Sequence, residues 1–112
     1  MTERPLRVMV IIGSNRDGRL GPTVARWFVA ELAGRADADV DVLDVAEAAL
    51  PDRLTAFGAE PPPEVAAVSA RLAAADAFVV VTPEYNHSYP APLKTLIDWH
   101  GRQWWAKPVG FV

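Results

Sequence analysis

The stretch A-F-V-V-V-T-P-E-Y-N-H-S-Y-P-A-P-L-K-T-L-I-D, Ala77 to Asp98, decides the fold. Its first five residues form a continuous apolar run, as expected for a central parallel strand buried on both faces. The run stops at Thr82 in a loop of prolines, aromatics and amides, and a new helix begins near Pro92 and runs to His100. Loops at the carboxyl end of parallel strands are where open α/β sheets bind ligands. This loop offers the rings of Tyr85 and Tyr89, the Asn86 amide and His87. That lining suits a planar heteroaromatic ligand better than acid–base chemistry.

A second loop of matching placement lies near the amino terminus. Leu6 to Ile12, L-R-V-M-V-I-I, reads as a buried first strand running into G-S-N-R-D-G-R-L-G, Gly13 to Gly21. Pro22 opens an amphipathic helix with Val24, Trp27, Phe28 and Leu32 on one stripe. Proline suits the first helical turn, because the donor it lacks would be unpaired there anyway. A helix amino terminus aims N–H groups at the preceding loop, and Ser14, Arg16 and Arg19 add a hydroxyl and two cationic forks. This chemistry fits a phosphate monoester. An ordinary strand-to-helix turn with two solvated arginines fits the loop equally well when it is taken alone.

The remaining elements alternate. Val40 to Val45, V-D-V-L-D-V, reads as a half-exposed second strand whose aspartates suit a sheet edge. Ala46 to Pro63 reads as a loop, Glu64 to Ala75 as a helix with Val65, Val68 and Leu72 on one face, and Pro108 to Val112 as the start of a fourth strand. This order predicts one doubly wound α/β domain over residues 1–112, and right-handed crossovers constrain its topology. If the strand order is 2-1-3-4, the chain reverses direction between strands one and three, and the crevice opens between the two loops described above. One ligand bridging both loops favours the phosphate reading of the first.

Composition narrows the classes. The chain has 112 residues, of which 51% are hydrophobic, and a net charge of −3. That is enough apolar material for one core, and no basic stretch points to a nucleic-acid partner. The absence of cysteine excludes a disulfide framework and thiolate chemistry. No run is long and apolar enough for a spanning helix, so the expectation is a cytoplasmic protein without a membrane partner. His87 and His100 stand far apart with no carboxylate pattern around them, so neither a metal site nor a hydrolytic triad is expected. G-x-x-x-x-G at Gly13 to Gly18 lacks the Lys-Ser/Thr of a P-loop, and the G-x-G-x-x-G dinucleotide fingerprint is absent.

G-S-N-R-D-G-R-L-G-P-T-V-A-R-W (Gly13 to Trp27), T-P-E-Y-N-H-S-Y-P-A-P-L-K (Thr82 to Lys94) and K-P-V-G-F-V (Lys107 to Val112) together resemble the NADPH-dependent FMN reductase family, which has a flavodoxin-like fold. The resemblance implies FMN as cofactor, NADPH or NADH as hydride donor, and a small-molecule electron acceptor such as a quinone, azo dye or free flavin. It implies that Ser14, Arg16 and Arg19 hold the FMN phosphate. Pro83, Glu84, Tyr85 and Asn86 would line the isoalloxazine, largely through backbone groups, with His87 and Ser88 at its rim. Many family members carry serine and asparagine where this chain has Arg19 and Gly21; others share the arginine. No side chain is expected to be an obligatory acid or base, since the flavin carries the chemistry. A homodimer or higher homo-oligomer is implied, with a tryptophan among Trp99, Trp104 and Trp105 at the interface. Family members continue past the fourth strand, so a fifth strand and last helices are expected to be lacking from these 112 residues. The alternatives are a flavodoxin-like electron carrier and a non-catalytic truncated fragment.

Overall fold

The computed structural model describes residues 4–112. Four parallel strands form one sheet in the order β2-β1-β3-β4: β1 is Leu6–Ile12, β2 Ala38–Asp44, β3 Ala77–Val81 and β4 Val109–Phe111. Val8 lies opposite Val40 on one side and Ala77 on the other, and Val79 lies between Val10 and Gly110, which makes β1 and β3 the central strands. Their β-branched residues fill both faces, so neither strand alternates in polarity. β2 is an edge strand, and its Asp41 is held by the Arg71 fork at 2.7 and 3.1 Å.

Each crossover carries a helix. α1, Gly21–Leu32, covers one face of the sheet through Ala25, Val24, Phe28 and Val29, which pack on Val10, Ile12 and Val81. The stripe read from the sequence is turned by part of a rotation. Trp27 is 58% exposed, and the contact line runs through Gly21 and Ala25 instead. Small residues there let the helix axis approach the strands, and the bulky indole is left outside.

The opposite face holds the larger core. α3, Pro63–Ala74, buries Val65, Val68 and Leu72, and α4, Ala91–Asp98, buries Leu93 and Leu96 against Met9, Ile11, Phe78 and Val80. Both helices begin with proline in the first turn. Lys107 donates to the carbonyls of Leu72 and Ala73 at 3.1 and 3.2 Å, satisfying two acceptors at the carboxyl end of α3. A cation is also favoured at that end of a helix.

One element departs from the expected loop. Val45–Ala48 forms a single helical turn, α2, because the Asp44 carboxylate accepts from the Ala46 N–H and caps it. β2 also starts two residues earlier than expected, at Ala38. Trp104 packs on Phe78 with ring centroids 4.9 Å apart, and Trp99 donates its indole N–H to the Pro51 carbonyl at 2.7 Å. Trp105 alone of the three is largely exposed, at 69%. Val109, Phe111 and Val112, on or beside β4, are exposed as well. No helix among the described residues is long and apolar enough to cross a membrane.

Candidate functional site

The carboxyl ends of β1 and β3 lie side by side, with Ile12 opposite Val81. The loops that leave them wall a cleft of about 340 Å³. Ser14, Arg16, Arg19 and Gly21 line it from the first loop, and Thr82, Pro83 and Tyr85 from the second. Val112 closes it beyond β4. Five of the residues singled out in the sequence thus meet in one place. Glu84, Asn86 and His87 do not form its wall but stand on the adjoining turn.

Ser14 is the informative member. It is 1% exposed, and its hydroxyl has no hydrogen-bond partner among the described residues. A buried polar group of that kind costs roughly 1–3 kcal/mol, and native proteins seldom keep one without a reason. Gly21 leaves the hydroxyl its room: a Cβ there would sit 3.1 Å from Ser14 Oγ and 2.9 Å from Ile12 Cγ2. The first turn of α1 has neither a side-chain cap nor an acidic residue. From Ser14 to Gly21, the only backbone N–H bonded to a backbone carbonyl among the described residues is that of Arg19, to Arg16 at 3.2 Å. Unpaired N–H groups, a helix amino terminus and an orphaned hydroxyl converge, and together they suit an anion.

The two arginines behave differently. Arg16 is exposed, with its guanidinium carbon 4.5 Å from the centroid of the Tyr85 ring, a cation–π contact that links the two loops. Arg19, expected from the resemblance to hold the phosphate, is already engaged within the chain. Its fork is taken up by Asp44 at 2.6 and 2.5 Å, and it also donates to the Ser14 carbonyl. The hydrogen bond to Asp44 raises its pKa above the ordinary arginine value. Burial pushes the Asp44 carboxyl up, but the Arg19 bonds, the Ala46 N–H and the Arg19 charge outweigh it and hold the pKa below the usual value. Asp44 therefore stays ionised, and its contribution to stability is lost only as the pH falls through that lowered value.

The second loop is a built feature. Tyr85 and Ser88 exchange backbone hydrogen bonds at 2.8 and 3.1 Å. Between them, Asn86 and His87 both adopt positive φ, 53° and 66°. That is the backbone of a tight type I′ hairpin turn, with Asn and His, two of the non-glycine residues enriched at positive φ, at its centre. His87 is 98% exposed on its side chain and lies 3.5 Å from the Glu84 carboxylate. His100 is remote from the cleft; its ring contacts the Leu96 carbonyl and the Ser69 hydroxyl at 2.8 Å each. Burial lowers its pKa.

Two other concavities among the described residues lack this convergence. A hollow of about 220 Å³ between α2 and α4 is lined mostly by alanine, leucine and valine. A wider groove of about 640 Å³ beside α1 and β2 includes Asp44, which is already paired.

The model of the NADPH-dependent FMN reductase family matches residues 6–112. The chain belongs to that family. Among its relatives, an NAD(P)H-dependent FMN reductase of Schizosaccharomyces pombe is 35% identical over 95% of this chain and 56% of its own length. A quinone reductase of Escherichia coli K12 is 36% identical over 91% of this chain and 53% of its own. The structure of a flavoenzyme NAD(P)H:(acceptor) oxidoreductase of Paracoccus denitrificans superposes with a TM-score of 0.80 at 28% identity, covering 96% of this chain and 59% of that one. The chain thus spans about half the length of the curated relatives it matches. Sheet order 2-1-3-4 and helices on both faces agree with the flavodoxin-like fold expected for an FMN reductase family member. The sequence reading missed Asp44 and Gly21. Asp44 stands at the carboxyl end of β2, opposite the last residue of β1 where the first loop begins, and that placement was the available signal.

Proposed function

We propose that this chain is the FMN-binding part of an NAD(P)H-dependent oxidoreductase that passes electrons to a small acceptor of the quinone, azo or flavin type. The observation that carries the proposal is the buried, unpartnered Ser14 hydroxyl at the uncapped amino terminus of α1. The residues present fit the cofactor. Ser14 Oγ and the free N–H groups of the first loop would hold the phosphate, and Arg16 would reach it from the cleft mouth. The Thr82–Tyr85 backbone and the Tyr85 ring would flank the isoalloxazine, and Glu84, Asn86 and His87 would form the turn at its rim. FMN when bound supplies the hydride and electron chemistry. The protein's part is to anchor the phosphate, fix the ring plane against a rigid hairpin and leave one face open to the nicotinamide and the acceptor. The titratable residues that line the cleft are Arg16, Arg19 and Tyr85, and flavin chemistry requires no obligatory acid or base from them. We also read the protein as a cytoplasmic homodimer, with exposed Trp105 as a candidate interface anchor, since tryptophan is favoured at such contacts.

Flavin content and turnover test the reading. The purified protein should carry FMN rather than FAD and oxidise NADPH or NADH in the presence of a quinone. Flavin without nicotinamide oxidation would mark an electron carrier, and recovery of neither would mark a non-catalytic fragment. Arg16→Ala should weaken FMN binding by about tenfold, the lower end for a charge-assisted bond because Arg16 is exposed. Its melting temperature should stay unchanged. Titration with FMN and with riboflavin checks this, and an equal loss for both ligands would remove Arg16 from the phosphate.

A further inference from the structure

Asp44 ends β2 directly opposite Ile12, the last residue of β1. Its carboxylate has two tasks. One oxygen accepts from the Ala46 N–H at 3.0 Å, and both receive the Arg19 fork. Arg19 in turn donates to the Ser14 carbonyl. A chain of contacts thus runs from the β2 edge, through Arg19, to the backbone of the residue whose hydroxyl is orphaned. Only 17% of the Arg19 side chain and 11% of the Asp44 side chain is exposed. Charge-assisted, two-pronged bonds of this kind fix geometry as well as contribute energy. The pair is neutral as a unit, so Arg19 brings little net charge to an incoming anion. What it does control is the Ser14 peptide plane. A peptide group is rigid, so pinning its carbonyl fixes the backbone rotation that aims the Ser14 side chain.

We propose that Asp44 and Arg19 are positioning residues for phosphate recognition, a paired brace that sets the Ser14 loop without itself binding the phosphate. The proposal rests on the FMN reading of the cleft. It assigns Arg19 a role unlike that of Arg16, although the two lie three residues apart in one loop.

Asp44→Asn keeps an oxygen for the Ala46 N–H and removes the charge that holds Arg19. Titrations with FMN and with riboflavin, which lacks the phosphate, separate the possible roles. Asp44→Asn should weaken FMN binding about tenfold and leave riboflavin binding unchanged. Arg19→Met should lose about as much, and the double variant no more than either single one, because both substitutions break the same brace. Arg19→Lys keeps the charge but not the fork, so it should behave like Arg19→Met. Thermal melts accompany each titration. Tighter or unchanged FMN binding by Asp44→Asn would overturn the proposal, since freed Arg19 would then serve as a direct ligand. Full rescue by Arg19→Lys, or equal losses for FMN and riboflavin, would also overturn it. If the unaltered protein binds riboflavin as tightly as FMN, or binds neither, the FMN reading itself fails, and the brace falls with it.

Discussion

Replacing Ser14 by alanine is expected to make the flavin-free protein more stable and its hold on FMN weaker. Most buried substitutions that cost a ligand its contact also cost the fold, so this pairing of signs is diagnostic. The Ser14 hydroxyl is buried and has no partner among the described residues, so the folded chain bears its desolvation without return. Alanine removes the polar atom and leaves a small methyl that the site accommodates. A gain of about 1 kcal/mol in unfolding free energy is expected, or a rise in melting temperature of roughly 4–8 °C for a domain of this size. FMN affinity should fall by roughly ten- to a hundredfold, the value of a bond to a charged group. Urea unfolding of the flavin-free protein and FMN titration give the two signs separately. A less stable Ser14→Ala protein would mean that the hydroxyl already has a partner in the native state, and the anion-site argument would lose its main support.

Phe78→Ala should have the largest effect on stability. Phe78 is 1% exposed in a central strand, packs on Trp104 and lies beneath the Lys107 ammonium at 5.7 Å. Truncating a buried phenylalanine costs about 3–5 kcal/mol, and losing a well-placed aromatic pair adds about 0.5–1.5 kcal/mol. Domains of this kind hold only about 5–15 kcal/mol in total, so a large part of the stability goes with one ring. Urea unfolding measures the loss, and near-ultraviolet circular dichroism should show a loosened Trp104. A cost below about 1 kcal/mol would mean that α3 and α4 do not depend on this ring for their seating.

Much of the architecture was legible because it depends on pattern. Leu6–Ile12 and Ala77–Val81 are apolar runs bounded by loop residues, and both strands have the limits read from the sequence. Alternation of elements and right-handed crossovers constrain the strand order, and the resemblance to a flavodoxin-like family points to 2-1-3-4. What was not legible depends on residues far apart in the chain. Arg19 and Asp44 are 25 residues apart, and no local signal shows that they will pair. Sequence alone shows two arginines in one loop and gives no reason to treat them differently. Of α2, Val45 was read as the end of the second strand and Ala46 to Ala48 as loop, because so short a turn carries too little periodicity. Trp27 satisfied the helical stripe by spacing, but the sheet selected small residues for its contact line. The hairpin at Asn86 and His87 lacks the glycine that normally signals such a turn, and only the backbone shows it.

The pairing of β1 with β3 also bears on how the protein folds. Val8 meets Ala77, so the two central strands join only after a long span of chain has closed on itself. Such distant pairings carry the entropic cost of loop closure before any contact compensates for it, and they slow folding. β1 with β2 is a more local pairing and can form first. The two walls of the cleft are the loops that leave the two strands of the more distant pair. Ligand binding is therefore an attribute of the finished sheet, and during synthesis the chain can bind nothing in this cleft until residues past Tyr85 have emerged and docked.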